Sequence, residues 1–171
     1  VAELILLQKS HDRRRFDCGS QELNSFLQQT ARQHLEKGLS TTHVLIEDDG
    51  KTIKGFYTLT LCEIEGVALP EDFSKKLPPE RIPAVLLARL GVDLSFQKQG
   101  LGKALLIEAI RDAVRVIEKG GGIGLFVDAK DEAAKSFYEA LGFVALPGQP
   151  RKLFLPVKTL RQVVSGVGDS A

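Results

Sequence analysis

Residues 86–106 read LLARLGVDLSFQKQGLGKALL. An apolar run ends at Asp93, a polar stretch carries Gly100 and Gly102, and an apolar helical pattern begins at once. The apolar run, AVLLARLGVD from Ala84, is dense enough for a central strand buried on both faces. After the glycines, Leu101, Leu105, Ala109, Ala113 and Ile117 share one helix face. Two readings of the glycines compete. They shape a tight strand-to-helix loop, or they let backbone N–H groups at a helix N-terminus gather round a phosphate.

The flanks give an α/β order. ELILLQ reads as a first strand. From Ser20 a helix is expected, with Leu23, Phe26, Leu27, Ala31, His34 and Leu35 at helical spacing and Lys37-Gly38 as its stop. THVLIE, the turn DDGK and TIKGFYTLTLCEIE form a β-hairpin signal around Asp49-Gly50. The proline-rich stretch from Gly66 to Pro83 reads as loop with one short helix. EKGGG stops the helix that follows the glycine loop. IGLFVDA is a further strand, DEAAKSFYEALGF a helix ended at Gly142, and RKLFLPV a late strand. The tail beyond Leu160 reads as frayed. The fold class is therefore α/β with a mixed sheet, organised as one domain over residues 1–160 and a tail over 161–171.

Bulk properties exclude several classes. The chain has 171 residues, a hydrophobic fraction of 43% and a net charge of +1, so any nucleic-acid contact has to be local. No apolar run approaches the roughly 20 residues of a membrane span. The opening residues lack the basic region and cleavage site of a signal peptide. Cys18 and Cys62 are too few and too far apart for a metal site, and two thiols without an export signal fit a reducing cytoplasm. His11, His34 and His43 lack ligand or triad spacing and read as structural.

Two familiar phosphate loops fail. A P-loop needs a glycine where Gln97 stands and Ser or Thr where Ala104 stands. A dinucleotide fingerprint needs a third glycine where Leu105 stands. Gln97-Lys98-Gln99-Gly100-Leu101-Gly102, placed after a strand, instead resembles the Q/R-x-x-G-x-G/A loop of the GNAT acetyltransferases. AAKSFYEALGF resembles that family's A-x-x-F-Y-x-x-x-G-F helix, in the right order downstream. RRFDCGSQELNSFLQQTARQ, GFYTLTLCEI and LPPERIPAVLLARLGVD narrow the resemblance to GNAT toxins of bacterial toxin–antitoxin pairs.

The resemblance implies a GNAT fold with two parallel strands that splay apart around acetyl-CoA, the co-substrate. Leu90 and Val92 would offer backbone contacts to the pantetheine arm. Gln97, Lys98, Gln99, Gly100, Leu101, Gly102 and Lys103 would hold the pyrophosphate, with Ser136 also at the cofactor. Tyr138 would be the general acid for the leaving thiolate, Phe137 a core aromatic. Arg89, which interrupts an apolar strand and so ought to be paired or functional, would bind substrate. The resemblance further implies aminoacyl-tRNA as acceptor, a ribbon-helix-helix antitoxin and a homodimer in the cytoplasm. A small amine or a protein N-terminus is the alternative acceptor.

Some readings come from the residues themselves. Tyr57 lies in an apolar strand and is expected to pack. No general base stands out; Glu63 reads as a rim carboxylate. An α-amino group, with pKa about 7.7–8.0, is appreciably neutral at pH 7.5, whereas a lysine near 10.4 is neutral only to about 0.1%. A site without a strong base thus leans towards an α-amine. Arg13-Arg14-Arg15, Lys75-Lys76 and Arg151-Lys152 are candidate phosphate contacts, with a solvated surface as the plainer reading.

Overall fold

The computed structural model describes residues 3–169, with side chains through residue 166. Among the described residues, seven strands hydrogen-bond in the order β1-β2-β3-β4-β5-β7-β6, parallel and antiparallel pairs together, with flanking helices. The chain packs as two compact units.

The first unit holds the chain up to Thr60 and Ala88–Ala109. It contains β1 (Glu3–Leu6), α1 (Gln21–Ser25), a π-helical turn (Phe26–Thr30), α2 (Ala31–Glu36) and β2 (Thr41–Ile46). The start of β3 (Ile53–Glu65), the end of β4 (Arg81–Val92) and the first half of α4 (Leu101–Gly120) complete it. Alternation puts Val44 and its cross-strand partner Phe56 on a buried face, against Leu27, Ala31 and Phe16. Phe16 meets Phe56 edge to face at 5.4 Å. Ser20 caps α1 by accepting the Leu23 N–H, and Gly38 at φ +73° ends α2, as the sequence suggests. Asp49 closes the hairpin by accepting the Lys51 and Thr52 N–H groups, both at 2.8 Å.

One departure lies inside the first helical stretch. A regular helix was the expectation from Ser20 onward, but the Ala31 N–H bonds the Phe26 carbonyl, five residues back. The spacing of apolar residues is the same for a short π-turn as for an α-helix within one turn, so nothing in the pattern marks it. Gly55 carries no distinguishing pattern either. A Cβ there would stand 2.6 Å from Leu105 Cδ1 and 3.0 Å from the Gly91 carbonyl oxygen. The bare backbone of β3 is what lets α4 begin so close to the sheet.

The second unit holds Leu61–Leu87 and the chain from Ile110 onward. It contains α3 (Glu71–Ser74), β5 (Gly124–Asp128), α5 (Glu132–Glu139), β6 (Val144–Leu146), β7 (Gln149–Pro156) and α6 (Val157–Asp169). β4 pairs β5 in parallel from Val85↔Leu125 to Leu87↔Val127, and β5 pairs β7 antiparallel. Phe126 stacks on its partner Phe154 at 4.7 Å, with Phe73 edge-on to Phe154.

Two sequence expectations need correction, and one short strand carries no signal in the sequence. The stretch 161–169 is not frayed: α6 continues through Asp169, with Leu160 fully buried and Val163 and Val164 half-buried, while the last two residues of the expected tail lie outside the described residues. Val157, Leu160 and Val164 recur at helical spacing, which two nearby glycines disguise. β6 was not foreseen, being only three residues long. The strand AVLLARLGVD is largely buried from Ala84 to Leu87, but Ala88, Arg89 and Leu90 are only half-buried.

His11 supplies a stability test. It is buried, its Nδ1 accepts the Gln8 N–H at 3.0 Å, and burial lowers its pKa. The unfolded chain therefore binds a proton near pH 6.5 that the folded chain refuses. Stability is full above about pH 6.5 and falls as the pH drops towards the lower folded value. Thermal denaturation between pH 7.5 and 5 should show Tm falling in that window, and His11→Gln should flatten the fall.

Candidate active site

In the first unit the end of β4 leads into the glycine loop. Asp93, nearly buried, braces the exit from the strand. Its Oδ1 accepts the Ser95 N–H at 2.8 Å and its Oδ2 the Asp17 N–H at 3.0 Å, while its own N–H donates to the Lys54 carbonyl. Sequence reasoning missed this clamp, because an aspartate at a strand end looks like any solvated carboxylate. Gln97 acts as a second brace: its Nε2 donates to the Val92 carbonyl at 2.9 Å and the Cys18 carbonyl at 3.2 Å. The side chain expected at a phosphate thus holds the loop, leaving its backbone for other contacts.

Lys98 has φ +65° and Gly100 φ +78°, whereas a Cβ at Gly100 would meet nothing within 4 Å. The glycine at 100 is required by conformation, not by space. Left-handed residues interleaved in a turn point successive N–H groups into one concavity, a natural anion cradle. The first helical bond runs from the Ala104 N–H to the Gly100 carbonyl. The N–H groups of Leu101, Gly102 and Lys103 therefore lie ahead of the intrahelical ladder, at the positive end of a 20-residue helix. This geometry suits a pyrophosphate. Leu90 and Val92, upstream on β4, are both half-buried.

Arg89 is half-buried on the same strand end. Its guanidinium lies over the Phe26 ring, 4.4 Å from the centroid, and Nη1 donates to the neighbouring Ala88 carbonyl at 3.1 Å. Nε is buried without a hydrogen-bond partner.

In the second unit Asp131 caps α5 by accepting the Ala134 N–H at 2.8 Å, and Gly142 at φ +101° ends the segment. Tyr138 sits in the last turn, 7% exposed, its ring edge-on to Phe137 at 5.2 Å and to Phe143 at 5.5 Å. Burial pushes its phenol up to about 12, so the hydroxyl stays protonated throughout the physiological range. That hydroxyl has no hydrogen-bond partner among the described residues. Phe137, expected in the core, is only half-buried, and Tyr138 is the more buried of the two. Ser136 is exposed.

The remaining candidates fall away from a catalytic role. Tyr57 is fully buried and stacks on His43 at 5.3 Å, as packing requires. Glu63 is exposed and lies 3.7 Å from Arg81. No group of three or more metal-ligating side chains occurs among the described residues. No described helix is long and apolar enough to cross a membrane.

The profile of the acetyltransferase (GNAT) domain matches residues 40–145. The chain belongs to the GNAT acetyltransferases. It is an enzyme that transfers an acetyl group from acetyl-CoA, its co-substrate, to an amine. The chain is 30% identical to the probable toxin TacT of Sinorhizobium fredii (strain NBRC 101917 / NGR234), over 90% of each chain. It is also 30% identical to the tRNA-acetylating toxin of Mycobacterium tuberculosis (strain ATCC 25618 / H37Rv), over 87% of this chain and 88% of the relative. Among solved structures, AtaT complexed with acetyl-methionyl-tRNAfMet superposes with a TM-score of 0.88 at 33% identity, covering 95% of this chain and 99% of AtaT. A tyrosine-to-phenylalanine variant of AtaT, bound to the C-terminus of the antitoxin AtaR and to acetyl-CoA, gives 0.80 at 31% identity, covering 96% and 99%.

Proposed function

We propose that this acetyltransferase is a toxin that acetylates the α-amino group of aminoacyl-tRNA in the cytoplasm and thereby blocks translation. The observation that carries the reading is near-full-length likeness to a tRNA-acetylating toxin and to AtaT, which was solved with acetyl-methionyl-tRNAfMet. Within it, the backbone of Leu90 and Val92 pairs with the pantetheine arm. The loop Gln97, Lys98, Gln99, Gly100, Leu101, Gly102 and Lys103 receives the pyrophosphate through its N–H groups, and Ser136 lies at the cofactor. An antitoxin of ribbon-helix-helix type and assembly as a homodimer belong to the same reading.

The chemistry is a direct transfer. The neutral amine attacks the thioester carbon, the C–N bond forms, the C–S bond breaks, and one proton moves in net from nitrogen to sulfur. Tyr138 is the donor to the departing sulfur. A phenol near 12 cannot simply hand its proton to a thiolate whose acid lies near 8.5; leaving a phenolate behind would cost roughly 5 kcal/mol. Tyr138 therefore donates a hydrogen bond as negative charge grows on sulfur, and its proton crosses as the acylated nitrogen releases its own. No strong base is needed for an α-amine already partly neutral at pH 7.5.

The test is incubation with labelled acetyl-CoA and total charged tRNA. Label should appear on aminoacyl groups, and expression in cells should arrest growth. An enzyme that acetylates small amines but leaves every charged tRNA unlabelled would retain the activity and lose the toxin assignment.

The basic cluster supplies a further expectation. Arg13 Nη1 reaches the Gln28 carbonyl at 3.5 Å and Arg15 lies 3.9 Å from Asp12, whereas Arg14 is exposed with no ion pair among the described residues. Neutralising all three should raise KM for charged tRNA and flatten the salt dependence of binding, with Arg14 contributing most. Unchanged values would remove this cluster from the RNA contact.

A further inference from the structure

Among the described residues Arg89 is a cation without a counter-charge. Half-buried arginines are ordinarily paired with carboxylates, because a desolvated charge is costly on its own. None of the ion pairs among the described residues involves Arg89. Of the five N–H groups a guanidinium carries, one has a protein acceptor, the carbonyl of the adjacent Ala88. Nε is buried and has none. What holds the side chain is the face of Phe26, at 4.4 Å.

Phe26 is itself fixed from two sides. It is 8% exposed in the first unit's core, and His34 meets it edge-on at 5.8 Å. It is also the first residue of the π-turn, its carbonyl accepting the Ala31 N–H. Such turns are rare and recur at functional sites. A ring aimed at an arginine attracts the cation without neutralising its charge or occupying its N–H fork.

We propose that Phe26 is a positioning residue: its ring holds the Arg89 guanidinium as a preformed receptor for a phosphodiester oxygen at the 3′ end of the acceptor RNA. The inference rests on charged tRNA being the acceptor. Charge selects the ligand. An aminoacyl ester is uncharged at its carbonyl, whereas the phosphodiester beside it is an anion that matches a planar, two-pronged donor. Position agrees, since Arg89 precedes Leu90 and Val92, the backbone assigned to the acetyl carrier, and the amine to be acetylated sits at the RNA 3′ terminus.

The experiment measures affinity for charged tRNA and for acetyl-CoA separately, in wild type, Phe26→Leu, Phe26→Tyr, Arg89→Gln and the double variant Phe26→Leu/Arg89→Gln. Phe26→Leu keeps an apolar filler but removes the ring face, and should weaken tRNA binding about 3- to 30-fold with acetyl-CoA affinity unchanged. Phe26→Tyr should restore most of it. Arg89→Gln should weaken tRNA binding and lower the salt slope by about 0.7–0.9, one phosphate contact. In the Arg89→Gln background, Phe26→Leu should add nothing. An equal loss in both backgrounds, or no loss in folded Phe26→Leu, would overturn the positioning role. An unchanged salt slope in Arg89→Gln, or a loss confined to acetyl-CoA, would overturn the phosphate. A wild type that binds no charged tRNA removes the acceptor reading, and this inference with it.

Discussion

Tyr138→Phe should lower kcat by about 10²–10⁴-fold while leaving the fold and the affinity for acetyl-CoA nearly intact. The substitution removes one oxygen and nothing else. The ring stays in its place between Phe137 and Phe143, at centroid distances of 5.2 and 5.5 Å. The hydroxyl makes no hydrogen bond among the described residues, so its loss breaks no structural contact and leaves no orphaned partner. A merely structural tyrosine would therefore show little change in turnover, and phenylalanine would be neutral or slightly stabilising. Burial raises the phenol to about 12. The proton-donor limb of a kcat–pH profile should accordingly lie beyond the usual tyrosine range, leaving the rate flat up to about pH 10. Full turnover in the folded Tyr138→Phe variant would end the assignment. In cells, expression of this variant should no longer arrest growth.

The glycine loop and the end of the α5 segment were legible because their signals are local: Gly100 and Gly142, both of which adopt φ > 0. The hairpin at Asp49-Gly50 was legible for the same reason. What escaped depends on contacts distant in sequence. Asp93 clamps Asp17, which lies 76 residues away, and Gln97 reaches Cys18, 79 residues away. Neither residue type in isolation signals a brace. Gly55 looked like any strand glycine until Leu105 and the Gly91 carbonyl came into view. Adjacent aromatics on a helix point about 100° apart; the sequence reading puts Phe137 in the core, but Tyr138 is the more deeply buried of the pair. Arg89 was conspicuous as a charge in an apolar strand, yet its partner turned out to be a ring and not a carboxylate, and no periodicity in the sequence distinguishes the π-turn that presents that ring.

Gly102→Asp should reduce acetyl-CoA affinity by at least about 100-fold. Position 102 lies in the first turn of α4, where the N–H groups of Leu101, Gly102 and Lys103 precede the first intrahelical bond at Ala104. In the proposed complex a pyrophosphate oxygen lies against this turn. An aspartate there introduces a like charge within a few ångströms of a phosphate, and its carboxylate can fold back onto the same N–H groups, which favour anions of any kind. Repulsion between unit charges at about 4 Å is worth about 4 kcal/mol near a protein surface, and the lost hydrogen bonds add to it. The fold itself should not suffer. An acidic residue in the first turn of a helix interacts favourably with the dipole, so thermal stability should hold or rise slightly. This opposition separates the readings: a loop that only shapes the chain would lose no cofactor affinity, while a phosphate cradle loses affinity as stability is kept. Gly102→Ala, which adds a methyl without charge, should fall between wild type and Gly102→Asp. Calorimetric titration with acetyl-CoA, run beside thermal denaturation of the same samples, measures both quantities. Equal affinity in a folded Gly102→Asp variant would remove the loop from cofactor binding.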